Sequence, residues 1–383
     1  MNFAFTDEQE ELRATARAFL AAHAGAESVR AAMQSELGHD PALWKRIGAE
    51  LGWTAVAIPE AYGGLGLSWL EVVALAEVMG ETLFCAPWFA TVGLAASAIL
   101  AAGDEAQKTR YLASVAGEGT IATLAFQETN GRCDADAVEA TTWRREDDGY
   151  RLDGRKRHVV DGHCADLLVV AARAPGSVGV NGLSIFVLPA ATAGVTRVQL
   201  PTVDRTRRLA EIELACVRVP ASARLGPEGD AWPALERALA LANVALAAEL
   251  VGVAQRSLDL AVAYAKERVQ FGRVIGSFQA IKHRCADMMV RLEAARSAAY
   301  WAGCVAADPD SGSATLGLAA SVAKAAAADA AFSCAGSALQ VFGGVGFTFE
   351  YDIQLYLKRA RASGALLGDA TFHRERVARG ILS

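Results

Sequence analysis

Two stretches of the chain carry residue types able to grip an anionic ligand. Arg268-Val269-Gln270-Phe271-Gly272, followed by Ile275 and Phe278-Gln279, closes a long helical run. A guanidinium is a bidentate phosphate ligand, and a glutamine beside it can pair with an amide. A capped helix end with a solvated arginine would use the same residues. Gln340-Val341-Phe342-Gly343-Gly344-Val345-Gly346-Phe347 ends a second helical run. Its glycines let backbone N–H groups approach an anion closely. A plain C-cap needs only one of them. Other chemistries lack their residues. Neither GxGxxG after a strand nor GxxxxGK[ST] occurs, and HExxH and GxSxG are missing too. The six histidines are dispersed, which argues against metal catalysis and a hydrolase triad.

Such motifs need elements to hold them apart and aim them. The chain has 383 residues, which suggests two or three domains, and 53% of them are hydrophobic while only 7% are aromatic. Ala and Leu dominate, so helix is expected to exceed half of the structure. Thr6 with Gln9 forms a capping box for a helix to about Ala21. Pro41 after Asp40 opens another through Leu51. IPEAYGGLG, residues 58 to 66, interrupts, and helices resume near Ser68. From Thr120 the period becomes that of strands: TIATLAF, Tyr150–Leu152, DLLVVAAR, LSIFVLP, GVTRVQL and AEIELACVRVP. Connections long enough for an all-parallel sheet are missing, so the sheet is read as antiparallel or mixed. Long helices are expected over 233–268, 277–306 and 314–341, with a last one from about Thr371. The domains are read as 1–120 helical, 121–225 β, and 226–383 a C-terminal helical, four-helix bundle. The fold class is mainly α with a β middle domain.

Charge and cysteine usage narrow the partners. With 37 basic and 43 acidic residues the net charge is −6, so a dedicated nucleic-acid binder is not expected. Seven dispersed cysteines without a CxxC pair read as reduced thiols, and the polar start MNFAFTDEQEELR carries no leader pattern, which together indicate a cytoplasmic protein. Thr82–Gly103 is uncharged and long enough to span a bilayer, but it contains Pro87 and Gly93 and lacks flanking basic residues. It is read as a buried helix, and no membrane span is expected.

FTDEQEELRATARAFL, IPEAYGGLG, ERVQFGRVIGSFQAIKHRCADM and ALQVFGGVGF occur in the order and spacing of acyl-CoA dehydrogenases. The whole chain resembles that FAD-dependent flavoprotein superfamily, whose members work in lipid metabolism, including fatty acid β-oxidation. The resemblance implies an N-terminal helical domain, a β domain and a C-terminal bundle, with FAD between the β domain and the bundle and completed by a neighbouring subunit. It implies that Arg268 and Phe271 reach the ADP half of the partner's flavin, with Gln279 near the same moiety and Gln340, Gly343 and Gly344 near the pyrophosphate. A homodimer or homotetramer acting on an acyl-CoA substrate follows, reoxidised by an electron-transferring flavoprotein.

The middle domain departs from the family pattern. Where relatives carry a TEPGAGSD-like loop, this chain reads Gln127-Glu128-Thr129-Asn130-Gly131-Arg132-Cys133-Asp134. In place of KxWITNG it has Lys156-Arg157-His158-Val159-Val160-Asp161-Gly162. His158 thus stands where a tryptophan packs on the flavin, and Val160 where a threonine hydrogen-bonds its ring. The base departs further. In the family a carboxylate removes the α-proton while flavin N5 takes the β-hydride. Ungapped, Leu367 occupies that glutamate's position, and the alternative position one helix earlier reads Ala242-Asn243.

Two carboxylates lie nearby in sequence. Asp369 is two residues past the empty position, in a glycine-containing turn, and a nitroalkane-oxidising flavoenzyme of the same fold uses an aspartate in this region. A turn or N-cap role for the next helix fits it equally. Glu249 lies in the apolar run LALANVALAAELVGVA, seven residues or about 10 Å of helix rise from the alternative position. Burial there would raise its pKa and demand a partner, so a structural carboxylate is the competing reading. Three functions remain: a dehydrogenase with an unusual or partner-supplied base; a non-catalytic subunit completing a Glu-bearing paralogue; and a flavin oxidase or monooxygenase.

Overall fold

The computed structural model describes residues 5–117 and 119–382; the first four residues of the polar N-terminal start lie outside them. The first helices are α1 (Asp7–His23), α2 (Ala26–Gln34), α3 (Pro41–Ala49) and α4 (Trp69–Glu81). A π-helical stretch, Phe89–Ala96, runs into α5 (Ser97–Ala102), and α6 (Glu105–Gly117) follows. Eight strands come next: β1 (Ala122–Ala125), β2 (Thr142–Glu146), β3 (Gly149–Val160), β4 (Leu167–Arg173), β5 (Leu183–Pro189), β6 (Val195–Gln199), β7 (Leu209–Pro220) and β8 (Arg224–Leu225). The chain ends with α7 (Trp232–Glu267), a two-stranded hairpin β9 (Val269–Gln270) and β10 (Arg273–Val274), then α8 (Gln279–Ala307), α9 (Ser313–Phe342), α10 (Ile353–Ala365) and α11 (Ala370–Leu382). Helix makes up 57% of the chain.

The expected caps form. Thr6 Oγ1 accepts the Gln9 N–H and Gln9 Oε1 accepts the Thr6 N–H, and Asp40 caps α3 with Pro41 at its first turn. The uncharged segment Thr82–Gly103 differs from its reading as a single helix. Thr82–Pro87 is a turn region with Leu83 at φ 51°, and only the part from Trp88 onward is helical. Pro87 explains the late start, since proline restricts the residue before it and tolerates only a helix's first turn. Among the described residues, two helical stretches are long and apolar enough to cross a membrane by length and composition, α7 and Ser313–Phe347. The apolar window of α7 is 94% buried inside the protein, the position of a core helix.

The chain divides into two compact units: one of residues up to 33, 69–85 and from 243 onward, the other of residues 34–68 and 86–242. In the first, glycines let α4 and α7 meet backbone to backbone. A Cβ on Gly80 would lie 2.0 Å from the Glu249 carbonyl oxygen, and one on Gly252 only 1.9 Å from that of Glu77. The Glu77 side chain, fully buried, accepts from Arg13, Arg296 and the Tyr300 hydroxyl, so one carboxylate ties α1, α4 and α8 together. Such a carboxylate is held by its charged donors, because unpaired burial would be prohibitive.

The second unit contains the sheet, ordered β6-β7-β3-β2-β4-β5-β8, with β1 added alongside β4. β1 and β2 run parallel to β4 and the remaining pairs are antiparallel, so the sheet is mixed. β3 carries two register shifts, one between Leu152 and Gly154 and one between Lys156 and Val159. The second shift places His158 in left-handed backbone, φ 57°, as β-bulges do at positions that re-aim a side chain.

Candidate functional site

In the first unit, α7 ends by handing the chain to a tight hairpin. Phe271 and Gly272 form its tip, both at positive φ (53° and 76°), the geometry of a two-residue I′ turn. Phe271 is 92% exposed. Arg268 and Gln279, at either end of this hairpin region, are exposed, and so is Gln340 near the end of α9. The side chains of these three residues make no hydrogen bond or ion pair among the described residues. At the end of α9, Gly343 turns the chain at φ 68°, and a Cβ at Gly343 or Gly344 would meet nothing within 4 Å. Gly343 is thus a conformational requirement, and the space beside both glycines is open. Free guanidinium, free amides and an open glycine turn together fit a phosphorylated dinucleotide.

The end of α7 and the end of α9 are joined by rings. Tyr264 stacks on Phe342 at 4.2 Å between centroids and 15° between planes, and Tyr351 closes edge-on against both.

The turn between α10 and α11 contains the position that the family resemblance gives to the base. Leu367 is buried and sits in left-handed backbone at φ 59°, an uncommon state for a branched side chain. Gly368 follows at φ 107°, where a Cβ would lie 2.4 Å from the Phe372 ring. Three groups hold this backbone. Fully buried Lys324 of α9 donates to the carbonyls of Gly364 and Gly368, each at 2.9 Å. His373 Nε2 lies 3.2 Å from the Leu367 carbonyl and must donate to it, which leaves Nδ1 to accept from Ser321 Oγ at 3.3 Å. Burial pushes the His373 pKa down to about 3, with Lys324 and Arg376 adding to the effect, so the imidazole is neutral.

Asp369 is exposed. Its carboxylate accepts the Phe372 N–H at 2.8 Å and its carbonyl the His373 N–H, which makes it the N-cap of α11. Glu249, 6% exposed, has the partner that its burial requires: Arg359 Nη1 at 3.1 Å and Ser363 Oγ at 3.3 Å, both from α10. Ala242 is fully buried. The geometry therefore brings Arg268 and the glycine turn to neighbouring helix ends and assigns both nearby carboxylates structural bonds.

In the second unit, Glu128 accepts the N–H groups of Glu139, Ala140 and Thr141 and the Lys156 ammonium at 2.8 Å. Burial alone would raise the Glu128 pKa, but Lys156 and these donors bring it below the ordinary value. Burial lowers the Lys156 pKa to about 8 despite Glu128. This clamp fixes the 127–141 loop against β3 two residues before His158. His158 itself is exposed, whereas Val160 is 2% exposed and its carbonyl accepts from Thr123 Oγ1 at 2.6 Å. Lys324, His373, Arg359 and the Tyr264–Phe342 stack are absent from the sequence reading. A lone lysine inside ASVAKAAAADAAF is the one signal that could have drawn attention to the first of them.

Family models for the acyl-CoA dehydrogenase N-terminal, middle and C-terminal domains match residues 6–118, 123–216 and 229–382. The acyl-CoA dehydrogenase IpdE2 of Mycolicibacterium smegmatis is 35% identical over 95% of this chain and 95% of its own. The butyryl-CoA dehydrogenase structure from Megasphaera elsdenii superposes with a TM-score of 0.91 at 28% identity, covering 100% of both chains. A chain of the ChsE4–ChsE5 complex from Mycobacterium tuberculosis gives a TM-score of 0.89 at 27% identity, covering 100% of this chain and 99% of the other. With all three domain models matched in order along its length, the chain belongs to the acyl-CoA dehydrogenase family of oxidoreductases acting on CH–CH donors.

Proposed function

We propose that the chain is a subunit of an FAD-dependent acyl-CoA dehydrogenase in which the base is supplied by a Glu-bearing partner chain. The observation that carries this reading is Leu367. The turn retains a left-handed residue braced by Lys324 and His373, yet the residue there has no proton-accepting group. Glu249 is bonded to Arg359 and Ser363, and Asp369 caps a helix in solvent. Neither carboxylate is free to take a proton from a substrate carbon without giving up those bonds. The ChsE4–ChsE5 complex, a relative assembled from two different chains, supports the heteromeric form.

FAD, when bound, supplies the hydride acceptor for α,β-dehydrogenation of an acyl-CoA thioester. The residues of this chain that would hold it are Arg268, Gln279 and Gln340 through side chains, Gly344 through its backbone N–H, Gly343 by the close approach its left-handed backbone allows while its own N–H caps α9 on Leu339, and Phe271 through its exposed ring. Arg268 would neutralise phosphate charge, and the Gly344 N–H would stabilise the anion as a dipolar hydrogen-bond donor. In the second unit, His158 lies in the bulge on β3 and is exposed to a ring system, whereas Val160, just past the bulge, is buried and supports the strand from within. Electron-transferring flavoprotein is the proposed acceptor, and the cytoplasm the proposed compartment.

Flavin content tests the reading. The chain is expressed alone and together with a Glu-bearing paralogue, and each product is sized and assayed for bound flavin. The expected result is stoichiometric flavin in a mixed oligomer and substoichiometric flavin in the chain alone. A flavin-saturated homo-oligomer that dehydrogenates acyl-CoA unaided would contradict the partner-supplied base.

A further inference from the structure

The two flavin-gripping segments come from different helices, and a single anion can engage both only if their separation is set in advance. Arg268 follows the last turn of α7, its N–H bonded to the Tyr264 carbonyl at 2.9 Å. The glycine turn begins immediately after Phe342, the last residue of α9. The rings of Tyr264 and Phe342 stack face to face at 4.2 Å, and Tyr351 meets them at 5.9 and 5.2 Å in edge geometry. The turn also folds back onto this cluster, since a Cβ on Gly346 would lie 2.8 Å from Phe342 Cβ and 3.1 Å from Leu339 Cδ1. The Tyr264 hydroxyl makes no hydrogen bond among the described residues, so what the site uses is the ring.

We propose that Tyr264 and Phe342 are positioning residues for the dinucleotide: their stack sets the distance from the Arg268 guanidinium to the Gly344 N–H, the Gly343 N–H being bonded to the Leu339 carbonyl, so that one pyrophosphate is held by both. The inference rests on the proposed flavin role of Arg268 and the glycine turn. Its physical basis is preorganisation. A ligand that must first draw two helix ends together loses affinity equal to the work of ordering them. Face-to-face aromatic contact supplies a rigid spacer that aliphatic packing of the same volume does not.

A double-mutant cycle on FAD affinity, measured by flavin fluorescence on the assembled protein, tests this. Arg268→Ala is expected to weaken FAD binding at least tenfold. Tyr264→Ala is expected to weaken it roughly three- to tenfold, while Tyr264→Phe binds as wild type. The decisive arm is Tyr264→Ala placed on Arg268→Ala. Positioning requires little further loss, because the group being positioned is already gone, whereas a general structural role gives the full additive loss. If Tyr264→Ala does not fold, Tyr264→Leu keeps the volume without the stack and carries the same cycle. Additive losses, or a Tyr264→Ala protein with wild-type affinity beside an impaired Arg268→Ala, would overturn the positioning role alone. Unchanged affinity in Arg268→Ala would overturn the flavin reading, and this inference with it.

Discussion

Replacing Glu249 by glutamine separates a structural carboxylate from a chemical one. Arg359 is 1% exposed and Glu249 6%, with Ser363 completing the contact inside the α7–α10 interface. Removing one charge of such a pair leaves the other buried, at a typical cost of about 3–5 kcal/mol. Glutamine keeps an acceptor oxygen for Arg359, which places the expected loss near the lower end, about 3 kcal/mol. Removing both charges, as Glu249→Gln with Arg359→Met, is expected to return most of that stability, to within about 1 kcal/mol of wild type. Asp369→Asn serves as the contrast. Asn caps helices as well as Asp, so its stability is expected to change by less than about 0.5 kcal/mol. The assay is urea denaturation of the apo chain followed by far-UV circular dichroism, read as the midpoint at constant slope. A Glu249→Gln protein as stable as wild type, or a double variant no better than the single, would refute the structural assignment and return Glu249 to candidacy as a base.

Three further outcomes are expected. His373 has a folded pKa of about 3 against 6.5 ordinarily, so below pH 6.5 the unfolded chain binds the extra proton. This contribution to stability is whole above pH 6.5 and falls by up to about 1.4 kcal/mol per unit as pH drops toward 3, and His373→Gln is expected to flatten that slope; an unchanged slope would remove the argument. Arg268→Ala is expected to lose flavin on gel filtration, at about 1.5–3 kcal/mol of binding, where His158→Ala keeps it; equal retention would count against the phosphate role. Leu367→Glu in the flavin-reconstituted chain alone is expected to raise α-proton abstraction about 10²–10⁴-fold, with the gain lost when Lys324→Met releases the turn; no gain would show that the braced backbone does not aim residue 367 at substrate.

Much of this structure is legible in local sequence. The Thr6–Gln9 box and the Asp40–Pro41 start are chemical instructions read within four residues, and both form. The apolar strands β4 and β5 stand out because both faces are buried. β2, Thr142–Glu146, is missed because TWRRE buries one residue, Trp143, and shows its charges to solvent. Only Tyr150–Leu152 of β3 is recognised, since the part after Leu152 contains Gly154, the cationic run Arg155-Lys156-Arg157 and two register shifts. Helix α10 is hidden by its charges, which include the buried Arg359. For the proposed site, Arg268 and Gly343–Gly344 draw attention in the sequence because an arginine and paired glycines close two helical runs, and the structure leaves the Arg268 side chain exposed and the space beside both glycines open. The Lys324 clamp, the Arg359 partner of Glu249 and the Tyr264–Phe342 stack join residues 40 to 110 positions apart. No periodicity encodes such pairings; packing creates them.

Anaerobic mixing with acyl-CoA thioesters, followed by loss of flavin absorbance, tests the missing base most directly. The flavin-reconstituted chain alone is expected to bleach very slowly or not at all, and to bleach rapidly once a Glu-bearing paralogue is assembled with it. Rapid bleaching by the chain alone, abolished by Asp369→Asn with flavin still bound, would contradict the partner-supplied base and place the proton acceptor on Asp369.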